Sequence, residues 1–247
     1  MTQDARAFYT AGYSVSDPAE AERLGRWRAL GARTKAAHAF ALCGREGLVP
    51  TTLVEIGCGD GALLWELSRL AAVVDGFELS PTAIELACSR RIPGARRLEA
   101  YDGVRVPAGD GAYDLAVLSH VLEHVGEPAR LLAEAARVGR HVLVEVPLED
   151  NRSARRPAKR AEADRIGHIQ RFARADVEAL LTGAGLRLVA DLADPLPRAH
   201  HVFFATSPRH HTTATARWAA RTAAWRLAPR TAERAFTVHY AALASRA

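Results

Sequence analysis

The stretch "TTLVEIGCGDGALLWEL", Thr51 to Leu67, sets Gly57, Gly59 and Gly61 between two apolar runs. A short apolar run, a glycine turn and a second apolar run read as buried strand, tight turn and helix. The same alternation continues outward. "VVDGFELS" reads as a second strand, and Pro81 suits the first turn of the next helix with Ser80 as its cap. "ARRLEA", "YDLAVLSHV" and "RHVLVEVP" are further strands, with a helix from about Glu127 to Val138 between the last two. The helix "RADVEALLTGAG" and the strands "LRLVADLA" and "HHVFFATS" follow. Upstream, residues from about Pro18 to Gly47 read as helix, with Leu24, Trp27 and Leu30 near helical spacing. Strands alternating with helices predict a doubly wound α/β sheet. The last two expected strands are joined only by a loop, so that pair should be antiparallel.

Bulk composition bounds the alternatives. The chain has 247 residues, 49% of them hydrophobic, so a packed core is feasible and global disorder is excluded. No apolar run approaches the roughly 20 residues that cross a bilayer, and the N-terminus lacks the pattern of a signal peptide. Cys43, Cys58 and Cys88 are an odd number without CxxC spacing, which fits a reducing cytoplasm better than a disulfide or zinc framework. The formal charge of +5 comes with only two lysines, Lys35 and Lys159. Such an arginine- and alanine-rich chain reads as a composition bias rather than as a nucleic-acid surface.

In an open α/β sheet, ligands sit where the first strand turns into its helix. Glycines there permit positive φ and close approach to the backbone. Glu78 ends the second strand, 21 residues after Gly57, where a carboxylate can accept hydrogen bonds from the two hydroxyls of a ribose. The turn is GxGxG rather than the GxGxxG of pyrophosphate-binding loops. Glu55 and Asp60 flank it, and negative charge there suits an ammonium or sulfonium better than a diphosphate.

"VEIGCGDG", "FELSPTAIELA", "YDG", "YDLAVLSHVLEHV" and "GHIQRF" occur in the order expected of class I S-adenosylmethionine-dependent methyltransferases, and residues 51 to 207 resemble that family. The resemblance implies a seven-stranded Rossmann-like sheet with an antiparallel last strand. It also implies S-adenosylmethionine as cofactor and S-adenosylhomocysteine as its product. Glu55, Gly57 and Gly59 match the loop facing the methionine part, Glu78 the ribose carboxylate, and Leu79 the apolar residue against adenine. Asp102 and Gly103 match the pair that meets the adenine ring and its amino group. Ser119 matches a position beside the methionine end. The segment before Thr51 often covers the pocket in this family, making Tyr13 and Arg33 candidates for the cover.

Methyl transfer from a sulfonium needs a nucleophile in line with the S–CH3 bond and water kept out. A base is needed where the acceptor carries a proton that must leave. His120, after the fourth strand, and His168, in "GHIQRF", are the expected catalytic residues. His124 lies four residues after His120 and is the weaker candidate. The order HExxH is absent, and Ser119 and His120 stand where metal-dependent relatives place an acid, so no required metal is expected.

The expected organisation is an N-terminal helical lid over residues 1–50, a methyltransferase core over 51–207 and a C-terminal helical extension over 208–247. "NRSARRPAKRAEADR" (Asn151 to Arg165) reads as a mobile loop or lid whose Arg152, Arg155, Arg156, Lys159 and Arg160 suit an acidic substrate or simply solvent. In the tail, Trp218, Thr222 and Trp225 share one helical face, suited to docking on the same chain or to a homodimer. The expected function is methylation of O, N or C of a small molecule, such as a specialised metabolite, with no membrane and no nucleic acid. Methylation of tRNA or rRNA, and a non-catalytic cofactor-binding subunit, are the alternatives.

Overall fold

The structure is a computed structural model that describes residues 3–246. Residues 1, 2 and 247, at the ends of the expected lid and extension, lie outside the described residues. In chain order the elements are α1 (Gln3–Tyr13), α2 (Pro18–Arg45), β1 (Thr52–Ile56), α3 (Ala62–Leu67), β2 (Val73–Glu78) and α4 (Pro81–Ser89). Then come β3 (Ala95–Ala100), β4 (Tyr113–Ser119), α5 (Pro128–Val138), β5 (Gly139–Pro147), α6 (Pro157–Arg165) and α7 (Arg174–Gly183). The chain ends with β6 (Leu186–Asp194), α8 (Arg198–Val202), α9 (Pro208–Leu227), α10 (Pro229–Ala235) and β7 (His239–Arg246).

One seven-stranded sheet runs in the order β3-β2-β1-β4-β5-β7-β6. Five parallel strands are followed by β7, which is antiparallel to both β5 and β6. The central strands bury both faces. Leu53, Leu115, Val117, Leu143 and Leu243 pack under α2 and α3, while Val54, Ala116, Val142, Val144 and Ala242 pack on the other side under α5 and α7. This burial explains why β1, β4 and β5 read as continuous apolar runs rather than as alternating ones.

Two local expectations are corrected. "HHVFFATS" is not the seventh strand. His200 and His201 belong to α8, and the strand is the alanine-rich "HYAALASR" of β7. Residues 208–247 therefore include a strand of the sheet as well as α9 and α10. Phe203 and Phe204 find a better apolar partner in the Trp27 ring of α2, at 5.2 and 5.0 Å between centroids, than in a sheet edge. The basic segment after β5 carries helix α6 rather than only a loop. Pro157 opens it at N1, and buried Asn151 anchors the approach through Leu148 O (2.8 Å) and the Thr237 hydroxyl (3.0 Å). The tail helix α9 docks on its own chain: Trp225 packs against the core cluster, and Arg221 donates to Thr237 O.

Candidate active site

β1, β2 and β4 end side by side, and the loops leaving them enclose two adjoining cavities. The larger, about 300 Å³, is lined by Glu55, Gly57, Gly59 and Ser119 from the sheet side and by Trp27, Lys35 and His200 opposite. The smaller, about 160 Å³, is lined by Glu78, Leu79, Tyr101, Val121, His124 and Leu131. Tyr13, Gly57 and His120 border both.

The glycine turn is shaped by its neighbours. Gly57, Gly59 and Gly61 have φ of 81°, 53° and 74°, in the left-handed region open to glycine. A Cβ on Gly57 would stand 2.6 Å from Val121 Cγ2, and one on Gly59 would collide with the Tyr13 hydroxyl. Gly61 serves packing instead, because its Cβ would strike Ile92 and Ala87 under α4.

Glu78, buried at the end of β2, ties the turn to the next helix. Its Oε2 accepts from Gly59 N at 3.0 Å, and its Oε1 accepts from Leu79 N at 2.7 Å and Ser80 N at 3.0 Å. Ser80 caps α4 as expected, accepting from Ala83 N. Glu55 is buried under the turn, and its Oε2 has no hydrogen-bond partner among the described residues. Burial pushes its carboxyl well above the usual carboxylate range. The Ser119 hydroxyl is likewise buried and unpaired at the cavity wall. A carboxylate and a hydroxyl orphaned beside a glycine turn fit the ammonium and carboxylate of an amino-acid moiety. Leu79 and Tyr101 offer the flat apolar surface an adenine needs.

Not every expected residue reaches the cavities. Asp102 is exposed, and its Oδ1 accepts from Val104 N (2.8 Å) and Arg105 N (2.9 Å), which closes the turn after β3. Gly103, with φ of 76°, borders a separate hollow of about 120 Å³ that shares Val125 and Leu131 with the smaller cavity. Arg33 is an exposed residue paired with Glu66, outside both cavities, whereas Tyr13 sits at their junction with Arg28 stacked on its ring. His168 lines neither cavity. It packs edge-on against His124, 4.8 Å between centroids, and its Nδ1 bonds Glu149 Oε2 at 2.8 Å.

His120 faces both cavities from a non-glycine left-handed backbone, φ 57°, held by its N–H donating to Glu145 O at 2.8 Å. Burial holds its imidazole well below the usual histidine range, so it is neutral and retains a lone pair. Its Nδ1 lies 3.1 Å from Glu123 Oε1 and its Nε2 lies 2.9 Å from His239 Nδ1. Behind this pair, Glu145 bonds His38 at 3.2 Å. Burial alone would lower the His38 pKa, but the neighbouring Asp194 and Glu145 carboxylates push it up to about 9.

Sequence reasoning passed over several of these groups. Lys35 lines the larger cavity, and its charge bears on Glu55, His120 and His239. Its signal was present, as one of two lysines in an arginine-rich chain. Glu145 is an acid inside the apolar run of β5. His239 carries no local signal, because only the placement of β7 brings it near.

A methyltransferase-domain family profile matches residues 24–191. The chain belongs to the class I S-adenosylmethionine-dependent methyltransferase family. This methyltransferase-family chain is 38% identical over 96 residues to a ubiquinone biosynthesis O-methyltransferase of Methylobacterium sp. (strain 4-46), covering 37% of this chain and 38% of that one. It is 34% identical over 86 residues to a demethylmenaquinone methyltransferase of Corynebacterium kroppenstedtii, covering 35% and 36%. The chain thus spans well under half the length of these curated relatives. Among solved structures, the geranyl diphosphate C-methyltransferase of Streptomyces coelicolor matches with a TM-score of 0.58 and 16% identity, over 80% of this chain and 73% of that one. The putative methyltransferase partner of the Haloferax volcanii Trm112 activator matches at 0.60 and 18%, over 94% and 100%. Both share the fold.

Proposed function

We propose that this protein transfers the methyl group of S-adenosylmethionine to an oxygen, nitrogen or carbon of a small, acidic or hydroxylated molecule. The observation that carries the reading is the meeting of two cavities at Gly57 and His120. The smaller suits the nucleoside, with Glu78 toward the ribose and Leu79 and Tyr101 toward the base. The larger suits the methionine end beside Glu55 and Ser119, with the acceptor beyond it. In the transfer, an electron pair of the acceptor (a lone pair on oxygen or nitrogen, a π or carbanion pair on carbon) forms the new bond to the methyl carbon and the S–C pair returns to sulfur, leaving a neutral thioether. The chain's part is to align the acceptor, exclude water and accept the proton that an O–H or N–H acceptor gives up.

His120 is the catalytic candidate, since it borders both cavities. His168 acts through His124 rather than on substrate, as a positioning residue. Lys35 supports an anionic acceptor, and the Trp27 and His200 rings, edge to face at 5.6 Å, give the cavity aromatic lining. The relatives named for ubiquinone and menaquinone biosynthesis support a small-molecule acceptor of the quinone-precursor kind.

Calorimetry with S-adenosylmethionine and S-adenosylhomocysteine tests the cofactor. Incubation with methyl-labelled cofactor and separate pools of metabolites and RNA tests the acceptor. Label in the metabolite pool is the expected outcome. Label confined to RNA, or binding without transfer to either pool, overturns the reading.

A further inference from the structure

At and just beneath the wall of the larger cavity, side chains gather from three neighbouring strands. His120 follows β4, Glu145 lies in β5 as the register partner of Ser119, and His239 opens β7 as the register partner of Pro147. His120 Nε2 and His239 Nδ1 are 2.9 Å apart, and Glu145 Oε1 lies 4.0 Å from each. A point equidistant from these three atoms lies about 2.1 Å from each, the bond length of zinc to imidazole nitrogen and carboxylate oxygen.

The surroundings of the triangle are those of ligating groups. His120 turns its other nitrogen toward the buried Glu123 carboxylate, with Nδ1 3.1 Å from an Oε1 that accepts no hydrogen bond among the described residues. Glu145 is held from behind by His38, and its Oε2 is buried with no partner among the described residues. Two imidazole nitrogens, at most one of them carrying the proton between them, and a carboxylate oxygen converge on the centre of the triangle, a donor set suited to a cation. His120 also keeps a left-handed backbone that costs a β-carbon-bearing residue about 1 kcal/mol or more, which aims its ring at this point. His120 and His239 line the cavity, so a fourth position opens toward the acceptor.

We propose that His120, Glu145 and His239 bind one divalent transition-metal ion of the zinc type beside the acceptor pocket. Two imidazoles and one carboxylate select such an ion over magnesium or calcium, which prefer all-oxygen sites. The acid that the sequence lacks at the end of β4 is supplied by the neighbouring strand. The inference deepens the methyltransferase reading, since the open position would hold an oxygen or nitrogen of the acceptor, but ion binding itself does not require that reading.

The test uses the full chain, stripped with a chelator and titrated with Zn2+ or Co2+. The expected result is one equivalent per chain by elemental analysis, with the intense visible bands of four-coordinate Co2+, and no comparable binding of Mg2+. Glu145→Gln and His239→Gln, each checked for native circular dichroism and melting, should lose the bands and weaken binding at least tenfold. His168→Gln, at the neighbouring Glu123–His124–His168 cluster, should keep both. Failure of the folded wild type to bind an equivalent, or loss of the bands in His168→Gln but not in His239→Gln, overturns the proposal. Calorimetry with S-adenosylhomocysteine on the stripped protein reports separately on the cofactor site, so loss of one reading is distinguishable from loss of the other.

Discussion

Glu78 serves two structural partners before any ligand arrives, holding Gly59 N with one oxygen and the start of α4 with the other. A ribose hydroxyl would add to Oε2, which accepts one bond from the protein. Replacing Glu78 with alanine should weaken S-adenosylhomocysteine binding by about 1.5–3 kcal/mol, the scale of hydrogen bonds to a charged group. Unchanged affinity by calorimetry would remove Glu78 from the ribose. Gly59→Ala should cost about 1–2 kcal/mol from its left-handed backbone, and more from the collision with Tyr13. Removing the Tyr13 ring in a Gly59→Ala, Tyr13→Ala pair should recover the second part, visible as a non-additive cycle in urea unfolding. An additive cycle would mean that the contact does not form. His120→Ala should abolish most turnover while leaving cofactor affinity within a factor of a few. The glycines, Glu78 and His120 were legible because one strand and its turn contain their whole signal. Glu145 and His239 were not, because each acquires meaning only from a neighbour far away in sequence, and Lys35 stood out only as a rare lysine with nothing local to place it in the cavity.

At the scale of elements, the strands were readable wherever both faces are buried, since unbroken apolar runs such as Leu115–Leu118 need no partner to be recognised. The ends of the chain were harder. "HHVFF" has the composition of a strand, yet Pro197 precedes it and the Trp27 face of α2 takes its aromatic rings, so α8 forms. Helix α6 has no apolar stripe, only Ala163 being buried, so periodicity could not reveal it. The loop after α6 is pinned at His168, which faces Glu149, Glu123, His124 and Arg171. Burial pulls the His168 pKa down, but its hydrogen bond to Glu149 and that charge outweigh burial, and the net shift is upward. A raised histidine stabilises the fold fully below its unfolded value, about 6.5, and the contribution fades as pH rises through the folded value. Denaturant melts of wild type and His168→Gln should therefore differ most under mildly acidic conditions and converge at alkaline pH. A difference that grows with pH would exclude the charged pair.

Across the whole molecule, the seventh strand decides where the folding unit ends. A core closing at Ser207 follows from local pattern alone, because the alanines of "HYAALASR" have weak strand propensity and sit after two helices. The sheet instead leaves a slot between β5 and β6, filled by β7 with residues 240 to 244 fully buried. Without it, β5 and β6 would each present a bare ladder edge, and the apolar residues on both faces would meet water. His239 would also leave the cavity floor, and Tyr240 would leave the Arg174 guanidinium that stacks on it. A chain ending at residue 207 should therefore fail to fold cooperatively and should aggregate on expression. A chain retaining residues 208–247 should be monodisperse and bind S-adenosylhomocysteine. A separately made peptide of residues 208–247 should restore solubility when co-expressed, because β7 joins the sheet through non-covalent ladders and buried side chains. A soluble truncated chain with native cofactor affinity would show that the five parallel strands suffice and that β7 is an accessory to them.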